Sequence, residues 1–193
     1  MKLVFGISGA SGAPYAKRLL EHLRAMPAGA APAVELVLSR TAEQVWSHEC
    51  GGNPRELGFP VYEGRDYTAP FASGSARYDA MLVLPASMSS IARIAHGISD
   101  DLLTRAADVM LKERRPLVLV PREAPYSAIH LENMLTVTRA GAIVLPASPS
   151  FYARPASLED AMDSVLARVL DLLCIEHDLG RRWGLQVKLG RTD

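Results

Sequence analysis

Lys2-Leu3-Val4-Phe5-Gly6-Ile7-Ser8-Gly9-Ala10-Ser11-Gly12 opens the chain and decides how the rest is read. A short apolar run ends abruptly in glycines and small hydroxyl residues. From about Gly12 to Met26, Tyr15, Leu19, Leu20 and Leu23 then recur at helical spacing. Strand, glycine turn, helix is the first half of a βαβ unit. It also reads as a strand rather than as a secretion signal, having one charge and too short an apolar run.

The same alternation continues. After an Ala/Gly/Pro linker from Pro27 to Ala33, the pattern predicts a second strand over Val34–Leu38 and a helix over Thr41–Cys50. The segment from Gly51 to Ser75, rich in Gly, Pro and Ser, is expected to hold little regular structure. A third strand is expected over Ala80–Leu84, with helices over Ser89–His96 and Ser99–Glu113. A fourth strand follows at Leu117–Val120, a helix from about Ser127 to Arg139, and a fifth strand at Ala142–Leu145. A long helix closes the pattern from Ser157 to about Cys174, with Ser157 as N-cap and Glu159 and Asp160 in its first turn. The fold class is therefore α/β: a doubly wound parallel sheet with a helix layer on each face, three layers in all. At 193 residues, 49% apolar and 22% charged, one domain is expected.

Bulk charge narrows the function. Lys+Arg and Asp+Glu are both 21, so the formal net charge is zero. A nucleic-acid binder would need a basic surface, so that class is disfavoured. The same neutrality leaves self-association unopposed. Cys50 and Cys174 are far apart in sequence and form no CxxC, which argues against a disulfide framework or a zinc site. No stretch approaches the roughly 20 apolar residues of a membrane span, so a cytoplasmic protein without membrane attachment is expected.

Open parallel sheets bind ligands beyond the carboxyl ends of their strands. The first such edge, Gly6 to Gly12, has the glycines and following helix of an anion cradle, though a tight turn alone explains the same pattern. Its GxxGxxG spacing departs from the dinucleotide fingerprint, and no GK[ST] of a P-loop is present. The second edge is Ser39-Arg40, with no acid to hold an NAD ribose. Arg40 suits the extra phosphate of NADP, but a mononucleotide fits better. The third edge, Pro85-Ala86-Ser87-Met88-Ser89-Ser90, leads three hydroxyls into a helix start. The fourth, Pro121-Arg122-Glu123-Ala124-Pro125, offers a guanidinium fork and a candidate acid or base. The fifth runs from Pro146 through Phe151-Tyr152 to Pro155 and offers aromatic lining and a phenol for a phosphate.

These residues resemble the UbiX-type flavin prenyltransferases. The resemblance is carried by Gly6 to Ala13 and by the stretch from Arg105 through Leu111-Lys112-Glu113-Arg114-Arg115-Pro116 to Leu119. It continues through Pro121 to Pro125, His130-Leu131-Glu132-Asn133-Met134, Phe151-Tyr152 and Arg182-Trp183. It implies a flavodoxin-like, Rossmann-like fold, a homo-dodecamer, and reduced FMN with dimethylallyl monophosphate as substrates, without metal. It further implies a dimethylallyl group joined to flavin N5 and C6, and delivery of the prenylated FMN to a UbiD-type decarboxylase. Gly9, Ala10 and Ser11, then Ser39, then Ser87, Met88, Ser89 and Ser90, and Arg122 match flavin-binding positions. Lys112, Tyr152 and Arg168, together with Arg122, match groups that grip the substrate phosphate, some of them supplied by a neighbouring subunit. Ser11, Glu49, Lys112, Glu123 and Trp183 match catalytic positions, Trp183 as an aromatic over the prenyl group.

Two rival readings share the fold. One is an FMN-dependent cysteine decarboxylase, whose third strand end carries Pro-Ala-Ser-Ala-Asn-Thr. Here that asparagine is absent, and His48 is only a loose match for its histidine. The other is a non-catalytic flavin carrier for a decarboxylase.

Overall fold

The computed structural model describes residues 1–27 and 29–180. The chain divides into two compact units, Met1–Pro146 and the residues from Ala147 onward.

The first unit is built on a six-stranded sheet. Its elements are β1 (Lys2–Ile7), α1 (Ala13–Ala25), β2 (Ala33–Leu38), α2 (Ala42–Cys50), β3 (Val61–Tyr62), β4 (Ala80–Ala86), α3 (Met88–Ala95), α4 (Leu102–Lys112), β5 (Leu117–Pro121), α5 (Ala128–Arg139) and β6 (Ile143–Val144). The strand order is β3-β2-β1-β4-β5-β6 and every pairing is parallel. The chain winds outward from β1 through β2 to β3, then returns to the far side of β1 and winds outward again from β4. Right-handed crossovers in opposite directions put helices on both faces, and they put the switch point between β1 and β4.

Burial explains why the central strands read as unbroken apolar runs. β4 is buried at all seven positions and β5 at all five, because each is covered on both faces. On one face Leu103, Ala106, Ala107 and Met110 of α4 pack among Val4, Met81, Val83, Leu117 and Leu119. Gly6 lets this helix approach: a Cβ there would lie 3.3 Å from the Leu103 side chain. Leu19, Leu20 and Leu23 of α1 and Trp46 of α2 are buried as well.

Five strands were expected and six are present among the described residues. The missed strand, β3, lies in the segment from Gly51 to Ser75, which also holds three single 3-10 turns at Pro54–Leu57, Pro70–Ala72 and Gly74–Ala76. Two residues are too few for any periodicity to register. Tertiary contact holds them instead: Leu36 N–H donates to the Pro60 carbonyl at 2.8 Å. Tyr62 also meets Phe71 edge-on at 5.1 Å, and Phe71 meets Tyr78 at 5.6 Å. The fourth helix starts at Leu102 rather than Ser99, because Asp101 and Thr104 close a capping box there.

The second unit contains α6 (Leu158–Leu172). Ser157 caps it as expected, its hydroxyl accepting from Asp160 N–H, and Glu159 and Asp160 occupy the first turn. Among the described residues no helix is long and apolar enough to cross a membrane.

Candidate functional site: a cleft at the switch point

A cleft of about 770 Å³ opens over the carboxyl ends of β1, β2 and β4. It is the place that sheet topology assigns to a ligand. Gly9, Ser39, Ser87, Ser89 and Ser90 all line it, so residues predicted from three separate strand ends meet in one cavity.

Ser8 sets the geometry of this edge. It is 1% exposed, its hydroxyl donates to the Pro85 carbonyl at 2.7 Å, and it accepts from Ser87 N–H at 2.7 Å. One side chain thus bolts the end of β1 to the end of β4. Beside it, Gly9 lies hard against Thr41, the residue preceding α2. A Cβ on Gly9 would fall 1.8 Å from the Thr41 hydroxyl oxygen and 2.8 Å from its Cβ.

The start of α1 departs from the expected anion cradle. The N–H groups of Gly12 and Ala13 donate to the Glu49 carboxylate at 2.9 and 2.8 Å. The anion at this helix terminus is the protein's own, brought by α2. Gly12 has φ 124°, which an L side chain rarely adopts, and this turn delivers both amides to one oxygen. Arg122 closes the group, donating through Nε to the Ser11 carbonyl at 2.9 Å. Burial pushes the Glu49 carboxyl up, but hydrogen bonds from Ser11, Gly12 and Ala13 and the charge of Arg122 outweigh it. The group lies below the ordinary glutamate value. Ser11, Glu49 and Arg122 therefore form one polar cluster at the start of α1.

That depression has a testable consequence. A carboxyl lowered by folding stabilises the native state above its unfolded value, about 4.3, and loses the effect as pH falls through the folded value. Glu49→Ala is expected to cost about 1 kcal/mol at neutral pH, as for a lost N-cap. Urea unfolding at pH 7 and pH 3 checks it: the wild-type advantage should vanish on the acid side, and an advantage independent of pH would refute it.

The start of α3, by contrast, is open toward the cleft and has the groups to hold an anion. Ser87 caps this helix, accepting from Ser90 N–H at 3.2 Å, and its oxygen lies 3.1 and 3.0 Å from the hydroxyls of Ser89 and Ser90. The first-turn amides of Met88 and Ser89 have no partner within the helix. Met88 contributes through its backbone only, since its side chain belongs to the core. The Ser39 hydroxyl is the second sign of a ligand: its oxygen is buried and lacks a partner among the described residues. A buried polar atom of this kind is satisfied by a bound group or an ordered water, and in this cleft it is placed to meet a ligand. Hydroxyls, a helix terminus and an unsatisfied Oγ in one cleft fit the phosphate and polar edge of FMN. Paired charges flank the cleft: Arg55 bridges Glu43 and Glu63 at 2.8 Å each, and Arg93 bridges Asp100 and Asp101 at 3.2 and 3.1 Å.

Other predicted residues are placed elsewhere. Glu123 is exposed, its carboxylate accepting from Ala124 N–H at 3.0 Å. Lys112 ends α4 just before β5 begins, so it lies at the amino edge of the sheet, opposite the cleft, where it pairs with Glu113. Tyr152 and Arg168 belong to the second unit and are exposed at 76% and, for the side chain, 62%. Trp183 lies outside the described residues. Ser8 and Thr41, which shape the cleft from behind, were not singled out; a serine that faces the interior looks like any other in a Ser/Gly-rich turn.

Comparison with known proteins covers nearly the whole chain. The pattern of the Flavoprotein family matches residues 1–171. The flavin prenyltransferase UbiX of Methanothermobacter thermautotrophicus is 46% identical over 184 residues, 94% of each chain. A crystal structure of AnUbiX (PadA1) in complex with FMN and dimethylallyl pyrophosphate is 44% identical, covers 94% of this chain and 96% of its own, and superposes with a TM-score of 0.89. A dodecameric FMN-dependent UbiX-like decarboxylase from Escherichia coli O157:H7 is 45% identical, covers 95% and 99%, and also has a TM-score of 0.89. By sequence along nearly its whole length and by fold, the chain belongs to the Flavoprotein family and, within it, to the UbiX flavin prenyltransferases.

Proposed function

We propose that this chain joins the dimethylallyl group of dimethylallyl monophosphate to N5 and C6 of reduced FMN, with FMN as substrate. The observation that carries the reading is the Ser39 hydroxyl, buried and unpartnered in a cleft whose other wall is the open start of α3. The identity of 46% to a flavin prenyltransferase favours this chemistry over cysteine oxidation or simple carriage of flavin.

In the reaction the allylic C–O bond breaks and phosphate leaves with the electron pair. N5 then forms a C–N bond to C1 of the prenyl chain and loses its proton; protonation of the prenyl double bond leaves a tertiary cation at C3, C6 attacks it to form a C–C bond, and the C6 proton is lost to a base. Ser39, Ser87, Ser89, Ser90 and the turn Gly9-Ala10-Ser11 hold the flavin, with Arg122 at its polar edge. Lys112, Arg122, Tyr152 and Arg168 stabilise the charge that develops on the departing phosphate. Glu123, or the phosphate itself, takes the proton. Ser11 and Glu49 move or hold a proton near the flavin, and Trp183 offers a π face to the allylic cation.

Lys112 reaches a phosphate only if it serves the cleft of another copy, which favours a homo-dodecamer like that of the E. coli relative. Ile129, Leu131 and Leu135 of α5 support such packing, being 67%, 53% and 50% exposed. Apolar residues grouped this way on one short helix suit burial against a partner. The product serves a UbiD-type decarboxylase, and the protein works in the cytoplasm.

The test is the mass of the flavin extracted after anaerobic turnover with FMN, a reductant and dimethylallyl monophosphate. The expected result is FMN enlarged by one isoprene unit. An unchanged FMN mass would leave only the carrier.

A further inference from the structure

We propose that Asp171 and His177 are positioning residues that hold the Arg168 guanidinium ready for the prenyl phosphate. The inference rests on the reading of Arg168 given above and on contacts wholly within the second unit.

Arg168 and Asp171 are three apart on α6, so their side chains share a face. The Arg168 Nη1 donates to Asp171 Oδ2 at 2.7 Å. An exposed pair of this kind is ordinarily worth little, because both side chains stay free to turn. Here the carboxylate is not free to turn. His177 Nε2 lies 3.1 Å from its other oxygen, Oδ1, and the imidazole side chain is only 1% exposed.

The chain makes this contact by reversing at the end of α6. Cys174 takes φ 55°, Cys174 N–H donates to the Asp171 carbonyl at 3.1 Å, and Ile175 N–H donates to the Leu170 carbonyl at 3.0 Å. Ile175 is buried and anchors the turn, so residue 177 folds back over the last helical turn. His177 Nδ1 is buried and has no partner among the described residues. An N–H there would be unsatisfied, so the geometry puts a proton on Nε2, which donates to Asp171.

The consequence is an ordered relay. His177 fixes the plane of the Asp171 carboxylate, and the carboxylate fixes one nitrogen of Arg168. The rest of the guanidinium fork is exposed, and the arginine surrenders part of its rotamer freedom before substrate arrives. The face is also where the loop bearing Tyr152 is moored: Ser150 N–H donates to Ser164 Oγ at 2.9 Å, and Ser164 is one turn before Arg168.

The experiment is a double-mutant cycle read by steady-state kinetics. Arg168→Ala should raise KM for dimethylallyl monophosphate and leave FMN affinity unchanged. Asp171→Ala should raise the same KM about threefold to tenfold, with FMN affinity unchanged, and should add nothing in the Arg168→Ala background. His177→Ala should act like a weaker Asp171→Ala, and His177→Gln, whose amide can donate to the same oxygen, should restore the KM. If Asp171→Ala does not fold, Asp171→Asn keeps the size and should show the same loss of additivity. No change in KM with Arg168→Ala overturns the reading of Arg168 and this inference with it. A changed KM with Arg168→Ala, but an Asp171 effect that is absent or fully additive, overturns the inference alone.

Discussion

Ser8→Ala is expected to lower stability by about 2–3 kcal/mol and to strip the protein of its flavin. The substitution removes a hydroxyl that is buried and doubly engaged. The Pro85 carbonyl keeps a weaker donor, Ser8 N–H at 3.2 Å, so only one of its bonds is lost, at about 1 kcal/mol. The half-buried Ser87 amide loses the partner it has here, at the lower end of the about 1–3 kcal/mol that an orphaned buried N–H costs. The effect on the ligand is larger than the stability change suggests. Ser87 caps α3 and holds Ser89 and Ser90, so a loosened Ser87 moves the whole anion site. Urea unfolding with and without FMN, together with a fluorescence titration of FMN, checks both halves. Wild-type FMN affinity in a destabilised Ser8→Ala protein would show that the bolt is structural and does not tune the cleft.

The second large effect is at Gly9. Gly9→Ala places a methyl group within 2.8 Å of the Thr41 Cβ, a contact that rotating the threonine hydroxyl away cannot relieve. Thr41 must move, and with it the start of α2 and the adjacent Ser39-Arg40 edge of the cleft. Overpacking of this degree costs about 1–3 kcal/mol, and if it falls on the ligand-competent geometry it weakens FMN about tenfold to a hundredfold. Gly9→Ala combined with Thr41→Gly opens the space and should recover most of the affinity. An equal loss in the single and double variants would mean that the methyl obstructs the flavin directly rather than through Thr41.

Much of the fold was legible because parallel strands buried on both faces leave strong signals. Lys2–Ile7 and Ala80–Ala86 are continuous apolar runs, and Ser157 announces its helix as a cap. β3 was not legible, since two residues held by an aromatic stack from Phe71 carry no period of their own. At the site, Ser39, Ser87, Ser89 and Ser90 come together in one cleft because topology alone puts strand ends together. The use of Glu49 as a cap for α1 was not foreseeable. It depends on how α2 lies beside α1, a packing detail that no motif in Gly6 to Gly12 encodes. Lys112 is the reverse case: a resemblance named it, and the winding of the sheet puts it at the far edge from its own cleft.

The bolt and the cap also fix when the site comes into being. Glu49 reaches back 37 residues to Gly12, and Ser87 reaches back 79 residues to Ser8. No local segment contains the cleft, so loop closure over these spans must precede any grip on a ligand. A chain emerging from the ribosome cannot recognise flavin until β4 and the start of α3 have docked on β1. FMN, which binds only that finished arrangement, then draws the population toward it by mass action. Flavin supply during synthesis should therefore raise the yield of native protein, with the nucleotide serving as a folding chaperone for the enzyme that will later consume it.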